Sequence, residues 1–169
     1  MKSTLSAPTA PSEQKAVRVE KLLAADADAC VALEIAAFNG PDRFPVRVWR
    51  RLLGPCQERG TAVALGVRGP RGILAAAAIA LVRRGSTVAR IYSLAVDPAW
   101  RGKGLGAALI AEIADRTHQR RSLEVRVDNA PARALYERLG FVAGETLPAY
   151  YANGIDGIRY RRDMAPAKT

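Results

Sequence analysis

The stretch LAVDPAWRGKGLG, residues 94–106, decides how this 169-residue chain is organised. It continues a nearly unbroken apolar segment, Thr87–Val96, which predicts a central strand buried on both faces. Asp97 and Pro98 end that strand. Apolar side chains then recur at helical spacing, at Leu105, Leu109 and Ile113. The stretch therefore predicts a strand, a glycine-rich loop and a helix in direct succession.

The glycine-rich loop has the features of a phosphate-binding site. Glycine lets the backbone approach a ligand closely, and the free N–H groups and positive dipole end of the following helix favour an anion. Arg101 and Lys103 add formal charge. The loop fits neither the dinucleotide fingerprint, which follows a first strand, nor the Walker loop, which needs Gly-Lys followed by Ser or Thr. Taken alone, it also fits a tight connection that binds nothing.

Strand and helix patterns extend from this loop in both directions. On its N-terminal side they predict a strand at Val17–Leu22, a helix at Asp26–Phe38 broken by Asn39–Pro41, a helix from Pro45, and a hairpin of Thr61–Arg68 with Gly72–Arg83. In the first helix, the apolar residues Ala29, Ala32/Leu33 and Ala36/Ala37 recur at helical spacing. On the C-terminal side they predict a strand at Ser122–Val127, a helix at Ala132–Leu139 ending at Gly140, and strands at Phe141–Ala143 and Gly157–Met164.

Composition and length favour one soluble globular domain, which we place at residues 16–164 between disordered tails at 1–15 and 165–169. The chain is 49% hydrophobic and 25% charged, and its longest apolar run, Ile73–Val82, is too short for a membrane-spanning helix of ~20 residues. The N-terminus has no signal-peptide core, so we expect a cytoplasmic protein with no membrane partner. Two cysteines and one histidine argue against a zinc cluster or a His-dependent triad, and we expect no metal.

The net charge of +10 at pH 7 favours an anionic partner, either a polyphosphate cofactor or nucleic acid. The basic residues are dispersed and do not alternate with aromatic side chains, which argues against nucleic acid. We expect most of the charge to lie on solvated surface, with a few Arg and Lys side chains at phosphates.

Two segments together resemble the GNAT family of acetyl-CoA-dependent N-acetyltransferases. In the first, residues 94–106, Arg101-x-x-Gly104-x-Gly106 resembles the family's pyrophosphate loop. The second, LEVRVDNAPARALYERLGF at 123–141, resembles the RimI-like branch, which acetylates ribosomal-protein N-termini. The resemblance implies an α/β fold with a mixed, mostly antiparallel twisted sheet, flanked by helices and splayed between the strand of Leu94 and the strand of Glu124 to admit acetyl-CoA.

The resemblance also implies roles for individual residues. It places acetyl-CoA against the central strand, the glycine loop and two later positions, namely Leu94, Ala95, Val96, Arg101, Gly102, Lys103, Gly104, Leu105, Gly106, Ala107, Asn129 and Tyr136. It makes Glu124 the proton acceptor and Tyr136 the proton donor. The chemistry is reasonable, because an α-amine of pKa ~7.7–8.0 is partly neutral at pH 7 and a phenol can protonate a departing thiolate. From the residues alone, other roles are open. Glu124 could be an ordinary solvated residue of its strand, and Tyr136 could be a helix residue that only packs against the sheet.

The acceptor amine is the least determined part of this interpretation. Phe38, Tyr150 and Tyr151 are candidate substrate-binding residues, although the two tyrosines also fit a cover over the sheet edge. A protein N-terminal α-amine is the first candidate, and a small-molecule amine or a lysine side chain is the alternative. We expect direct attack in a ternary complex, since neither Cys30 nor Cys56 has a base beside it in the sequence, and we expect a monomer or homodimer. A basic module that binds CoA or nucleic acid without catalysis is the non-enzymatic alternative.

Overall fold

The computed structural model describes residues 17–38 and 43–163, which form one seven-stranded sheet with helices on both faces. The strands are β1 Val19–Lys21, β2 Ala62–Arg68, β3 Leu74–Val82, β4 Val88–Val96, β5 Arg120–Arg126, β6 Val142–Leu147 and β7 Gly157–Arg162. The helices are α1 Ala27–Ala37, α2 Val46–Arg51, α3 Leu105–Thr117 and α4 Ala130–Arg138. The predicted tails and the predicted helix break at 39–41 lie outside the described residues.

The sheet confirms the predicted fold class. Its strands run in the order β1-β2-β3-β4-β5-β7-β6, and neighbours are antiparallel except for β4 and β5, which are parallel and joined through α3. β4 and β5 pair only over Val88–Arg90 and Arg120–Ser122. Beyond these residues the two strands separate, and the gap is the predicted splay.

Two hydrophobic clusters hold the helices against opposite faces of the sheet. On one face, the predicted stripe of α3 packs with Leu123 and Tyr160, and its three residues, Leu105, Leu109 and Ile113, are buried. On the other face, α1 and α2 pack through Leu33 and Trp49 onto β3. Because each cluster includes residues far apart in sequence, the two clusters fix where the ends of β4 and β5 lie relative to the helices.

The prediction that Thr87–Val96 is buried on both faces was wrong. β4 alternates between buried and half-buried residues, whereas β3 is buried along Leu74–Ala80. The alanine run of β3 has weak intrinsic strand propensity. Its small side chains nevertheless suit a strand covered by α1 on one face and α3 on the other. Tertiary packing therefore outweighs propensity in β3, and β4 keeps a partly open face at the splay.

Helix α1 forms within the predicted range, but it buries only part of the apolar set that predicted it. The buried residues of α1 are Ala27, Cys30, Leu33 and Glu34, while Ala32 and Ala36 are exposed. Alanine fits either face of a helix, and the buried face of α1 also contains the carboxylate of Glu34. Smaller boundary differences occur in α4, which starts two residues earlier than predicted, and in β6, which runs on to Leu147.

Candidate active site

A cavity of about 470 Å³ lies between the separated ends of β4 and β5. Six of the residues predicted for the site line it, namely Phe38, Leu94, Glu124, Asn129, Tyr136 and Tyr151. Helix α1, both central strands, α4 and the β6–β7 loop all contribute side chains to the cavity wall. The structure thus brings together residues that span more than 110 positions of the sequence.

An extra residue in β4 shapes one wall of this cavity. The register between β3 and β4 skips Tyr92, which is the extra residue of a β-bulge. Ile91 and Leu94 therefore pack on the α3 side of the sheet, while Tyr92 and Ser93 both face α1 and α2. A bulge bends its strand, and this one follows Arg90, the last residue of β4 that pairs with β5.

The glycine loop presents the start of α3 at the open end of β4. Gly102 and Gly104 both have φ of 75°, a left-handed conformation that favours glycine, and a Cβ on either would contact no atom within 4 Å. Gly104 is the N-cap of α3, so the next N–H groups have no partner within the helix. The residues Ala95, Val96 and Arg101 to Ala107 lie outside the lining of the cavity, in the segment that continues β4 past Leu94 and leads into α3.

Arg101 and Lys103 make contacts within the chain. The guanidinium of Arg101 donates to the carbonyl of Ala37 at 2.9 Å and to that of Val96 at 3.4 Å. It therefore joins the last turn of α1 to the end of β4. The ammonium of Lys103 lies 4.3 Å from the ring centroid of Trp100, a cation–π contact.

Asn129 is the N-cap residue of helix α4 and lines the cavity at the start of that helix. Its side-chain oxygen accepts a hydrogen bond of 3.2 Å from the N–H of Ala132, which caps α4. The cap fixes the start of α4 and thereby places Tyr136 in the same cavity.

Tyr136 lies in the cavity with its hydroxyl uncommitted. The side chain packs between Phe141 and Tyr160, with ring centroids 5.7 and 6.3 Å away, and the residue is 8% exposed. Its hydroxyl makes no hydrogen bond with any residue that the structure describes. Burial raises the pKa of Tyr136, and the nearby Tyr151 acts in the same direction. The side chain is therefore a phenol at neutral pH and can donate its proton into the cavity.

Glu124 projects from β5 and is held by two arginines from the flanking strands. One carboxylate oxygen accepts from Arg90 at 2.7 Å and the other from Arg159 at 3.1 Å, and the side chain is 7% exposed. A carboxylate has about four lone-pair directions, so two remain after these contacts. The arginines fix the carboxylate in one orientation at the boundary of the cavity.

The tyrosine pair of the β6–β7 loop meets the site in two ways. Tyr151 is half-buried and lines the cavity, while Tyr150 is 42% exposed and its hydroxyl accepts a hydrogen bond of 2.6 Å from Arg90. The two rings form an edge contact with centroids 5.2 Å apart. Arg90 therefore connects Tyr150 to Glu124, which the sequence did not predict.

Glu34 of α1 is a cavity residue that the sequence reasoning missed. It is 1% exposed, and its carboxylate accepts from the N–H of Phe44 at 2.8 Å, the indole of Trp49 at 3.3 Å and the hydroxyl of Ser93 at 3.1 Å. Burial raises the pKa of Glu34, although these three donors oppose the rise. The residue ties together α1, the start of α2 and the bulge of β4. The helical spacing of Glu34 from Ala27 and Cys30 is the sequence signal that could have placed it on the buried face of α1.

The cysteines give no support to a covalent acetyl intermediate. Cys30 is fully buried, and burial, followed by the nearby Asp26 and Glu34, raises the pKa of its thiol to about 12. A thiol of this kind is a poor nucleophile at neutral pH. Neither cysteine lines the cavity.

Comparison with known proteins places this geometry in a family. Residues 34–141, more than half of the chain, match the acetyltransferase (GNAT) family. The chain belongs to the GNAT family of acetyl-CoA-dependent N-acetyltransferases. This GNAT match covers the last turn of α1, the splayed strands, the glycine loop and α4, and it includes both Glu124 and Tyr136.

Individual GNAT relatives match over nearly the whole chain. The N-alpha-acetyltransferase RimI of Mycobacterium tuberculosis is 31% identical over 155 residues, covering 90% of this chain and 96% of that protein. An uncharacterized protein of Mycobacterium leprae is 32% identical over 157 residues, but the chain spans only 42% of its length. The crystal structure of the ribosomal-protein-S18-alanine N-acetyltransferase from Escherichia coli matches with a TM-score of 0.73 and 28% identity, covering 90% of this chain and 97% of that one.

The described part of the chain lacks both a membrane-spanning helix and a cluster of metal-binding side chains. Residues 17–38 and 43–163 include no helix long and apolar enough to cross a bilayer. The same ranges hold no group of three or more His, Cys, Asp or Glu side chains arranged to bind a metal ion.

Proposed function

We propose that the chain transfers the acetyl group of acetyl-CoA to the α-amine of a protein N-terminus, as its RimI relative's name describes. The observation that carries the proposal is the cavity at the β4–β5 splay, which joins a fixed carboxylate, Glu124, to a buried phenol, Tyr136. Full-length similarity to the RimI of Mycobacterium tuberculosis supports a protein acceptor over a small molecule.

Acetyl-CoA fits the residues at the entrance of the splay. Gly102 and Gly104 leave open space above the start of α3, where unpaired backbone N–H groups favour a pyrophosphate. Beyond Arg90, β4 has no hydrogen-bonded neighbour on the β5 side, so its backbone from Leu94 to Val96 is available to a pantetheine arm. When bound, acetyl-CoA supplies the thioester carbonyl that the amine attacks.

Glu124 and Tyr136 are proposed to move protons at opposite ends of the reaction. Glu124 receives a proton from the acceptor ammonium, through a water molecule or directly, and the neutral amine attacks the thioester carbonyl carbon. The carbon–sulfur bond breaks as the new amide bond forms. Tyr136 donates its hydroxyl proton to the departing thiolate, and the excess proton of the product amide returns the phenol to its starting state.

The proposal is tested with a set of acceptors that separates the three amine classes. One peptide has a free N-terminus and no lysine, a second has a blocked N-terminus and one lysine, and the third acceptor is a polyamine. We expect kcat/KM to be at least about 100-fold higher for the free N-terminus, since a lysine of pKa ~10.4 is mostly charged at pH 7. Preferential turnover of the blocked peptide or the polyamine would overturn the proposal.

The role of Glu124 is tested by the pH profile of kcat/KM for Glu124→Gln under saturating acetyl-CoA. The deficit relative to wild type should be largest at low pH, where the amine is protonated, and should narrow toward the pKa of the amine. A small deficit in kcat/KM that does not change with pH would mean that Glu124 is not the proton acceptor.

A further inference from the structure

A second depression, which we call the arginine groove, adjoins the cavity and has a volume of about 470 Å³. It lies across β4, β5 and β7, and six arginines line it, namely Arg90, Arg120, Arg121, Arg159, Arg161 and Arg162. Only two carboxylates, Glu124 and Asp163, are among its lining residues. The groove is therefore strongly positive, in contrast to the mixed polar and aromatic wall of the cavity.

The groove begins at the catalytic candidate Glu124. This residue lines both the groove and the cavity, so the two spaces meet at its carboxylate. Along β5, Ser122 and Arg120 face the same side of the sheet as Glu124, because alternate residues share a face. From Glu124 to Arg120 is four residues, which is ~13 Å at ~3.3 Å per residue. An acceptor whose amine reaches Glu124 has its next few residues over this groove.

Several of these positive charges lack full compensation. Arg90 and Arg159 are paired with Glu124, and Arg159 also binds Glu145. Arg161 makes no side-chain hydrogen bond or ion pair with any described residue. Arg120 has only a distant contact, 3.9 Å from an Asp163 carboxylate that is itself 85% exposed. The outer part of the groove thus carries cations that solvent or a ligand must neutralise.

Arg121 contributes its charge to the opposite face of the sheet, because it alternates with Arg120 and Ser122 along β5. It is 6% exposed, and its Nε is buried without a hydrogen-bond partner among the described residues. The residue directly opposite on β7 is Arg162, a like charge. Burial lowers the pKa of Arg121, and Arg162 acts in the same direction. The arginine side chains that face the groove are therefore those of Arg90, Arg120, Arg159 and Arg161.

We propose that the arginine groove binds acidic side chains two to five residues after the acetylated N-terminus, so that this chain selects acidic protein N-termini. The inference rests on the proposed function and specifies its acceptor. A peptide is favoured over a separate anion because the groove opens from the point that the acceptor amine must reach. An extended peptide places alternate side chains on one face about 6.6–7 Å apart, which matches Arg159 and Arg161, two residues apart on one face of β7.

The test compares two peptides that share an N-terminal alanine and differ only at positions 3 to 5. One carries three aspartates and the other three asparagines, which have nearly the same shape without the charge. We expect kcat/KM to be about tenfold higher for the aspartate peptide in low salt, and the ratio to fall as salt is added. In the double variant Arg120→Gln/Arg161→Gln the ratio should fall to about one.

Arg59→Gln is the matched control, since it removes an exposed arginine outside the groove and should leave the ratio unchanged. A wild-type ratio near one, or a preference that survives in the double variant, overturns the inference. Turnover of the asparagine peptide keeps the proposed function intact in that case, whereas failure of both peptides overturns both proposals.

Nucleic acid is the other anionic ligand that could occupy the arginine groove, and a further experiment distinguishes it from an acidic peptide. A single-stranded RNA oligonucleotide is added to wild type and to the double variant while the asparagine peptide is acetylated. Inhibition that the double variant abolishes, together with a peptide ratio near one, would assign the groove to nucleic acid and overturn the inference.

Discussion

The two ends of the cavity are built by different means. The entrance where we place acetyl-CoA consists of consecutive backbone, from the end of β4 through Gly104 into α3. The acceptor end consists of side chains from separate segments, with Glu34 from α1, Tyr92 and Ser93 from the β4 bulge, and Tyr151 from the β6–β7 loop. Backbone groups recognise what all acetyl donors of this type share. Side chains from separate segments are free to vary, so acceptor choice lies with them.

The largest effect is expected at the acceptor end, from Glu34→Ala. This change leaves three donors without an acceptor, at Phe44, Trp49 and Ser93, and each lost partner costs on the order of 1 kcal/mol or more. We expect the free energy of unfolding in urea to fall by about 3 kcal/mol. Glu112→Ala, which removes only a surface pair with Arg116, should cost less than ~0.5 kcal/mol. Equal losses for the two variants would mean that Glu34 does not hold the acceptor wall together.

The next effect is at the junction of the two ends. Tyr136→Phe removes a hydroxyl that has no described hydrogen bond, so stability and acetyl-CoA affinity should survive while kcat falls about 100-fold. Tyr160→Phe is its mirror control, because that hydroxyl donates to Glu137 at 2.7 Å and lies outside the cavity. It should lose about 1 kcal/mol of stability and keep kcat. Calorimetry, urea unfolding and turnover measured on both variants check this, and a Tyr136→Phe enzyme with normal kcat would contradict the acid role.

A smaller effect is expected at the entrance, from Gly104→Ala. Gly85 is the matched control, because it lies in an exposed turn far from the loop and has the same φ of 75° and the same open surroundings. Alanine at either position should lower the free energy of unfolding by a similar ~1 kcal/mol. Only Gly104→Ala should weaken acetyl-CoA binding, by about tenfold, because its Cβ stands where the pyrophosphate approaches the backbone. Equal acetyl-CoA affinities in the two variants by calorimetry would remove the loop from the donor site.

The smallest effect concerns Glu34→Gln and its dependence on pH. The raised pKa of Glu34 means that the folded state holds its proton to higher pH than the unfolded state, whose value is about 4.5. Wild-type stability therefore falls as pH rises from 4.5 toward the folded pKa, and the amide lacks this loss. The amide oxygen can still accept from Phe44 and Trp49, and its NH₂ can donate to Ser93. The free energy of unfolding in urea should increase for Glu34→Gln relative to wild type as the pH rises from 4.5 to 7.5. A difference between the two proteins that stays constant with pH would contradict the raised pKa of Glu34.

The difference between the consecutive backbone at one end of the cavity and the separate side chains at the other also explains what could be predicted from the sequence. The strand–loop–helix at residues 94–117 and the stripe of Leu105, Leu109 and Ile113 were predicted because both depend on local spacing. Glu34 and the Arg90 contacts were missed because their partners lie up to 60 residues away. The alanines of α1 and β3 did not indicate which residues are buried, since a small side chain is equally suited to several environments. The site roles of Glu124 and Tyr136 remain predictions that the variants above test.

The bulge at Tyr92 has a consequence for how this site can arise and be lost. Apart from that residue, β4 alternates regularly against β3, and its pairing with β5 stops just before the bulge. Deletion of one codon, that of Tyr92, would leave a strand able to continue straight along β5. Such a chain would have a more regular sheet and no room for a substrate between its central strands. The proposed function therefore depends on the one extra residue that β4 carries at the bulge.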